Sequence, residues 1–305
     1  MGSKERSNEG HISSRQKIKI EEVRTQLIIS TFKASKQNLK TMNQLTKRFT
    51  LASMMIAFFI ISFSSIAIAA SRDYYQIQVY KLTGKAQEEK VDNFLKDAYL
   101  PALHRAGIQK VGVFKPIESD TTSGKRVYIW IPFTSPDHFA KIQDVLANDQ
   151  EYQTKGIDFL GAPFDQRPFI RKESILLKAF PDAPNYFIPN HKTTPSERIY
   201  ELRSYESPTE NLFRQKVKMF NEAGEIKLFK SLDFNAVFYA EVISGSTMPN
   251  LMYLTTFADM TTHDERWAAF RAHPEWKTMS ALPEYQNTVS KSIKLLLHPT
   301  DYSDF

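Results

Sequence analysis

The sequence predicts an α+β protein built from two tandem ferredoxin-like βαββαβ units, whose antiparallel sheets face each other as an intramolecular pseudo-dimeric α+β barrel. Three observations carry that expectation. A Y-x-hydrophobic-x-x-Y frame occurs twice, as Tyr75-Gln-Ile-Gln-Val-Tyr80 and Tyr200-Glu-Leu-Arg-Ser-Tyr205, and similarity at a fixed interval marks a duplicated unit. Each copy alternates runs of period two with runs of helical period in the order strand, helix, strand, strand, helix, strand, which four antiparallel strands with both helices on one face satisfy. Between the copies lies 181–195, with four prolines and few apolar residues, a linker composition.

The elements follow in order. The first strand of each copy is the Tyr frame itself. The first helix places Val91, Phe94, Leu95, Ala98 and Ala102 on one face, and in the second copy Phe213, Val217, Phe220 and Gly224; Pro101 should disturb the first of these helices, since it lacks an N–H. Gly107 to Phe114 then matches Leu232 to Tyr239, and Val127 to Phe133 matches Leu251 to Phe257. These runs are β-branched and aromatic, with Ser123-Gly124 and Gly245-Ser246 as the turns between them. A second helix is expected over about 136–146 and 262–272, and Glu173 to Lys178 and Ser290 to Leu295 close the copies. The predicted organisation is an extension over 1–41, a signal peptide or membrane anchor over 42–70, a first unit over 73–180, the linker, and a second unit over 197–298.

Of the 305 residues 42% are hydrophobic and 24% charged, enough apolar surface for a core and too much charge for a multi-pass membrane protein. Cysteine is absent, which removes disulfides, thiolate nucleophiles and zinc–thiolate sites. The net charge of +6 is not a nucleic-acid footprint. Residues 1–50 hold 11 Lys/Arg and 4 Asp/Glu, so the rest of the chain, with 29 and 30, is nearly neutral.

Leu51 to Ala70 is free of charge and follows Lys47 and Arg48. Ala67-Ile68-Ala69 has the form of a signal-peptidase site, and Met42 stands where an ordinary secretory signal would begin. The alternative is a retained helix, since twenty apolar residues can span a bilayer. Either way the flanking charge places the globular part outside the cytoplasm, periplasmic or extracellular.

The second copy resembles the NIPSNAP family. Tyr200-Glu201-Leu202-Arg203-Ser204-Tyr205 resembles its Y-E-L-R-x-Y opening. Asn250 to Phe257, followed by Arg266-Trp267, Arg271 and His273-Pro274-Glu275-Trp276, resembles its closing strand, Arg-rich helix and D-P-E-W-like corner, with His273 in the place of Asp. The first copy is a weaker relative, with Asn148-Asp149-Gln150-Glu151-Tyr152 at that corner. The resemblance implies the dimeric α+β barrel superfamily and no fixed reaction.

Alternation puts Glu201, Arg203 and Tyr205 on one strand face, with Gln76, Gln78 and Tyr80 as their first-copy equivalents. The opposite, apolar set of Tyr75, Ile77, Val79, Tyr200 and Leu202 is expected under the helices, leaving the polar set to line the barrel as a cavity for a small ligand. Arg203 is the expected anchor for a carboxylate or enolate, with Glu201 orienting it or acting as a base. A purely structural Arg203–Glu201 pair is the competing expectation. His104, with Arg105, is a further site hint at the tip of the first helix. His273, Pro274 and Trp276 read as a structural corner.

The histidines match no metal signature, so no metal is expected. No cofactor is predicted either, with haem kept open because relatives of the resembled barrel include haem proteins. Two function classes remain. One is a binding or assembly module, taking a small molecule or a protein partner, possible as a homo-oligomer; the other is a cofactor-free monooxygenase- or isomerase-like enzyme.

Overall fold

The computed structural model describes residues 14–63 and 71–305. The chain divides into two compact units, Met1–Ala69 and Ala70–Phe305. In the first, one helix, α1 (Ser14–Phe63), runs through the segment whose composition suggests an irregular extension and on into the apolar run. Its residues 21–47 are exposed. The Ala67-Ile68-Ala69 site lies outside the described residues. Among the described residues no helix is long and apolar enough to cross a membrane.

The second unit contains both βαββαβ copies. The first repeat comprises β1 (Tyr74–Lys81), α2 (Lys85–Phe94), a π-helical turn (Leu95–Tyr99), α3 (Leu100–Arg105), β2 (Gly112–Pro116), β3 (Arg126–Phe133), α4 (Pro136–Ala147), α5 (Gln150–Lys155), α6 (Ile157–Leu160) and β4 (Arg171–Ala179). The second comprises β5 (Ile199–Glu206), α7 (Glu210–Asn221), α8 (Glu225–Ser231), β6 (Phe238–Ser244), β7 (Asn250–Phe257), α9 (Met260–Ala272), α10 (Pro274–Ala281) and β8 (Lys291–Pro299). The strands close into one antiparallel barrel in the order β1-β3-β2-β8-β5-β7-β6-β4. Each repeat contributes four neighbouring strands, and β2–β8 and β4–β6 are the two seams. The π-helical turn sits just before Pro101, where the missing N–H breaks the α-helical ladder.

The barrel interior is apolar and filled. Tyr75, Ile77 and Val79 of β1, Tyr200 and Leu202 of β5, and Phe114, Trp130, Phe238, Leu254 and Leu297 from the other strands form a single buried cluster, leaving a void of only about 10 Å³. This reverses the expected assignment of faces. Glu201, Arg203, Tyr205, Gln76, Gln78 and Tyr80 lie under the helices, and the set expected under the helices fills the barrel. The reason is geometric. Eight strands enclose a space just wide enough for side chains, so large apolar groups pack it, whereas the helix layers bring polar side chains that can satisfy a polar strand face. Both faces of the central strands β1, β3, β5 and β7 are largely buried, so polarity alone does not tell inside from outside.

The connection over 181–195 is no loose tether. Asp73 donates its N–H to the Pro184 carbonyl at 2.8 Å and Phe187 to that of Val237 at 2.9 Å. Tyr186 meets Trp130 edge-on, with ring centroids 5.1 Å apart. Phe305 packs against Phe114 and Trp130 from the same interior cluster, both at 5.4 Å.

Candidate functional site

With the barrel filled, two larger spaces remain among the described residues: one of about 530 Å³ between the 181–195 connection, α8 and the start of β6, lined by Asp182, Phe187, Ile226 and Lys230, and one on the helix side of the second repeat, where buried charged groups gather. A pocket of about 350 Å³ is lined by Arg203 and Tyr205 of β5, Lys216 of α7, Glu225 and Phe229 of α8, Trp267, Phe270 and Arg271 of α9, and Trp276 of α10.

Local sequence explains how each residue arrives there. α7 is capped by Thr209, whose hydroxyl accepts from the Leu212 N–H, and it buries Phe213, Lys216 and Phe220 on one face. Gly224 then turns the chain with φ +96°, a left-handed value that favours glycine, so that α8 begins at once with Glu225 facing α7. α9 is capped by Asp259, which accepts from Thr262 N–H at 2.7 Å, and its buried stripe is His263, Trp267 and Phe270, spaced as one helix face requires. His273 caps α10 by accepting from Glu275 N–H through Nδ1, Pro274 opens that helix, and Trp276 stacks obliquely on Phe270 at 4.5 Å.

Glu201 is fully buried and both its oxygens are engaged. Oε1 accepts from Arg203 Nε at 2.9 Å, with Nη2 2.8 Å away. Oε2 accepts from the Trp267 indole N–H and lies 3.2 Å from His263 Nε2. Burial alone would raise this carboxyl, but His263, Arg203 and Trp267 outweigh burial and hold it below its ordinary value. His263 in turn reaches exposed Asp264 through Nδ1 at 2.8 Å.

Arg203 is thereby fixed from several sides. Its Nη1 donates to the Tyr205 hydroxyl at 3.0 Å, which lies 2.8 Å from the Tyr253 hydroxyl, and its guanidinium carbon sits 3.8 Å from the centre of the Trp267 ring system. Nη1 and Nη2 each keep an N–H with no partner among the described residues.

Lys216 and Glu225 form a second buried pair at 2.9 Å, with side chains 6% and 2% exposed. The Lys216 ammonium is walled by Phe220 at 4.8 Å, Tyr205 at 5.5 Å and Trp276 at 5.8 Å, in range for cation–π attraction. Burial raises the Glu225 carboxyl above its ordinary value, more than Lys216 and Arg203 lower it. Glu225 Oε1 has no partner among the described residues.

The residues singled out in the sequence are therefore divided. Glu201, Arg203 and Tyr205 come together, with Trp276 in the same pocket. Gln76, Gln78 and Tyr80 do not join them, because they lie under the helices of the other repeat. There Gln78 donates to the Tyr99 hydroxyl at 2.8 Å and to Gln76 at 2.9 Å. Tyr80 packs on Phe159 and Phe169, and Phe94 stacks on Phe159 at 3.9 Å, so aromatic rings occupy that layer. His104 is 2.9 Å from Asp304 and lies outside the pocket, while Arg105 pairs with Asp149 at 2.8 Å.

The other histidines among the described residues are engaged too: His138 with Thr134, His191 with Thr256, and His298 with the Arg198 carbonyl. Among the described residues no group of three or more His, Asp or Glu is placed to hold a metal ion.

Sequence reading missed Lys216, Glu225, His263 and Trp267. Comparison of the repeats carries their signal. Counted from the matching helix starts, Lys216 stands where the first repeat has Val91, Glu225 where it has Leu100, and His263 where it has Phe139. With Gln76 and Gln78 opposite Glu201 and Arg203, the first repeat carries none of the five ionisable groups.

Residues 200–304 match the NIPSNAP family model, and the second repeat is a NIPSNAP domain. A NIPSNAP family protein from Agrobacterium tumefaciens str. C58 is 21% identical, over 35% of this chain and 96% of that one, with a TM-score of 0.32. A NIPSNAP-like domain protein from Burkholderia xenovorans is 20% identical, over 35% and 89%, with a TM-score of 0.32. The whole barrel is matched by a candidate monooxygenase from Lactobacillus acidophilus NCFM, at 9% identity over 75% of this chain and 94% of that one, with a TM-score of 0.50; that likeness is one of fold. No curated protein is significantly similar to the chain.

Proposed function

We propose that the NIPSNAP domain binds a small organic anion with a flat apolar body, in the pocket between β5 and helices α7 to α10. The observation that carries this reading is the placing of two cations, part-buried Arg203 and buried Lys216, beside aromatic walls around about 350 Å³ of space. An Arg fork with unspent N–H groups suits a carboxylate, and Phe229, Phe270 and Trp276, already packed on one another, form an apolar wall for an aromatic body to lie against. The first repeat, on this reading, is scaffold. It closes the barrel and carries no second site.

The test is tryptophan fluorescence, since Trp267 and Trp276 both line the pocket. Phenylacetate should quench it saturably and benzylamine should not. Arg203→Lys keeps the charge and loses the fork, and should weaken phenylacetate binding by on the order of 1 to 3 kcal/mol in a protein that still melts cooperatively. Equal response to both probes would remove the anion reading. The filled barrel interior supports a second reading, an assembly module whose joint is only an interface. In that case Arg203→Lys and Tyr205→Phe leave every ligand response unchanged and Arg203→Ala lowers only the melting temperature.

The charge and hydropathy of residues 42–70 further support export with cleavage at the end of this segment. Mature protein from the native envelope should then begin near Ser71; a product that still carries Met42 at its start would contradict cleavage.

A further inference from the structure

We propose that Glu225 is the acid–base group of this pocket, and that the anion it takes is a 2-oxo acid bearing an aromatic ring, which the site interconverts between keto and enol forms. This rests on the binding reading above and assigns its chemistry.

The sequence leaves Glu201 either to orient Arg203 or to act as a base, and the contacts favour the first role. Both Glu201 oxygens are bound, to Arg203 on one side and to Trp267 and His263 on the other, and Glu201 does not line the pocket. It is a positioning residue for Arg203. Glu225 is arranged in the opposite way. One oxygen is held by Lys216 at 2.9 Å, the other has no partner among the described residues, and the side chain lines the pocket beside Arg203.

A structural clip between α7 and α8 does not require these groups. The first repeat fills the same two positions with Val91 and Leu100, both buried and packed in one apolar cluster. Replacing a buried ion pair by such residues is often neutral or stabilising, so the charged version is the one that calls for a use. Burial also raises the Glu225 carboxyl above its ordinary value, which moves a carboxylate toward the range useful for general acid–base work near neutral pH.

The pocket's other groups define the substrate class. Arg203 would hold the carboxylate through its unspent N–H groups, and the ring would lie against the aromatic wall that Phe229, Phe270 and Trp276 form together. The 2-oxo oxygen would then face the Lys216 ammonium and the adjacent carbon would face Glu225. Glu225 takes a proton from that carbon. The C–H electron pair becomes the carbon–carbon double bond, the carbonyl pair moves to oxygen, and Lys216 delivers a proton there. Glu225 returns its proton to Lys216 across their 2.9 Å contact. The net change is a tautomerisation, which needs no oxidant or other co-reactant.

The test uses the full chain with phenylpyruvate in deuterated buffer, with two independent readouts: tryptophan quenching for binding, and deuterium entry at the carbon next to the ketone, followed by NMR, for proton transfer. The protein should quench, and should raise the exchange rate at least tenfold above buffer. Glu225→Gln should keep the quenching and return exchange to the buffer rate. Should that variant not fold, Glu225→Asp, which keeps the charge and withdraws the carboxylate, should melt cooperatively and lose at least tenfold in exchange. Quenching without accelerated exchange, or exchange that survives Glu225→Gln or Glu225→Asp undiminished, overturns the acid–base assignment and leaves the binding reading standing. Absence of quenching overturns both.

Discussion

Replacing Glu201 by Gln probes the centre of the site with almost no change of shape. In the wild type one carboxylate oxygen faces Arg203 and the other faces the Trp267 N–H and His263. A glutamine can serve only one of those sides with its oxygen. Its better orientation keeps the oxygen on Arg203 and turns the amide N–H groups toward His263, whose Nε2 can accept when the ring is neutral. The Trp267 N–H is then stranded in a buried position, which costs about 1 to 3 kcal/mol, and Arg203 loses its counter-charge. Removing one partner of a buried pair outright costs about 3 to 5 kcal/mol, and since a hydrogen bond to Arg203 survives, a total near 3 kcal/mol is expected. At about 2 to 4 °C per kcal/mol for a domain of this size, the melting temperature should fall by about 6 to 12 °C. The pH dependence adds a second check. The Glu201 carboxyl is held below its ordinary 4.5, so its stabilisation is fully present above that value and is lost as pH falls through the folded value. The gap between wild type and Glu201→Gln should therefore narrow as pH falls below about 4.5. Other carboxyls held low, such as Asp149 and Asp259, titrate in both proteins and cancel in the difference. A gap under about 1 kcal/mol at neutral pH, or one that widens as pH falls below about 4.5, would refute the account of Glu201 as the paired, charged hub.

Two other expectations follow from the barrel and the helix layer. A Cβ at Gly112 would lie 2.5 and 2.7 Å from the Phe114 ring, inside the packed interior, so Gly112→Ala should overpack the barrel and cost about 1 to 3 kcal/mol in chemical denaturation; a neutral result would mean that the interior is looser than it looks. Gly224→Ala forces an L-residue to φ +96° at the turn that aims Glu225, and should cost about 1 to 2 kcal/mol while lowering phenylpyruvate exchange, whereas unaltered exchange would show that this turn does not position the carboxylate.

The duplication and the order of elements were legible because repetition and periodicity are properties of the chain alone. What the chain did not disclose was which face of β1 and β5 turns inward. Tyr200 and Leu202 are as suited to lying beneath a helix as to filling a barrel, and Glu201 and Arg203 become intelligible under α9 only when Trp267 and His263 are seen to come down onto them. Arg203 and Tyr205 were found because their strand frame repeats. Lys216 went unread because it sits between Phe213 and Phe220 on a face that periodicity assigns to the core, and a lysine there looks like an interruption. Its meaning lies in Glu225, nine residues on and beyond a left-handed glycine, a turn that periodicity does not resolve.

The unequal fate of the two repeats has an energetic logic. Each buried ionisable pair must recover several kcal/mol of lost hydration before it contributes anything, and the second repeat holds two, at Glu201–Arg203 and Lys216–Glu225. The first repeat fills the matching layer with Val91, Leu100, Phe94 and Phe159, groups that stabilise simply by leaving water. Because the strands of both repeats share one barrel and one interior cluster, apolar packing in the first half supports the whole sheet on which the second half's charges are mounted. A lone second repeat would expose the barrel-facing side of β5 and β7, with Tyr200, Leu202, Met252 and Leu254, to water. The duplication lets one half retain a polar, incompletely filled layer at a cost in stability, while the other half keeps the barrel closed.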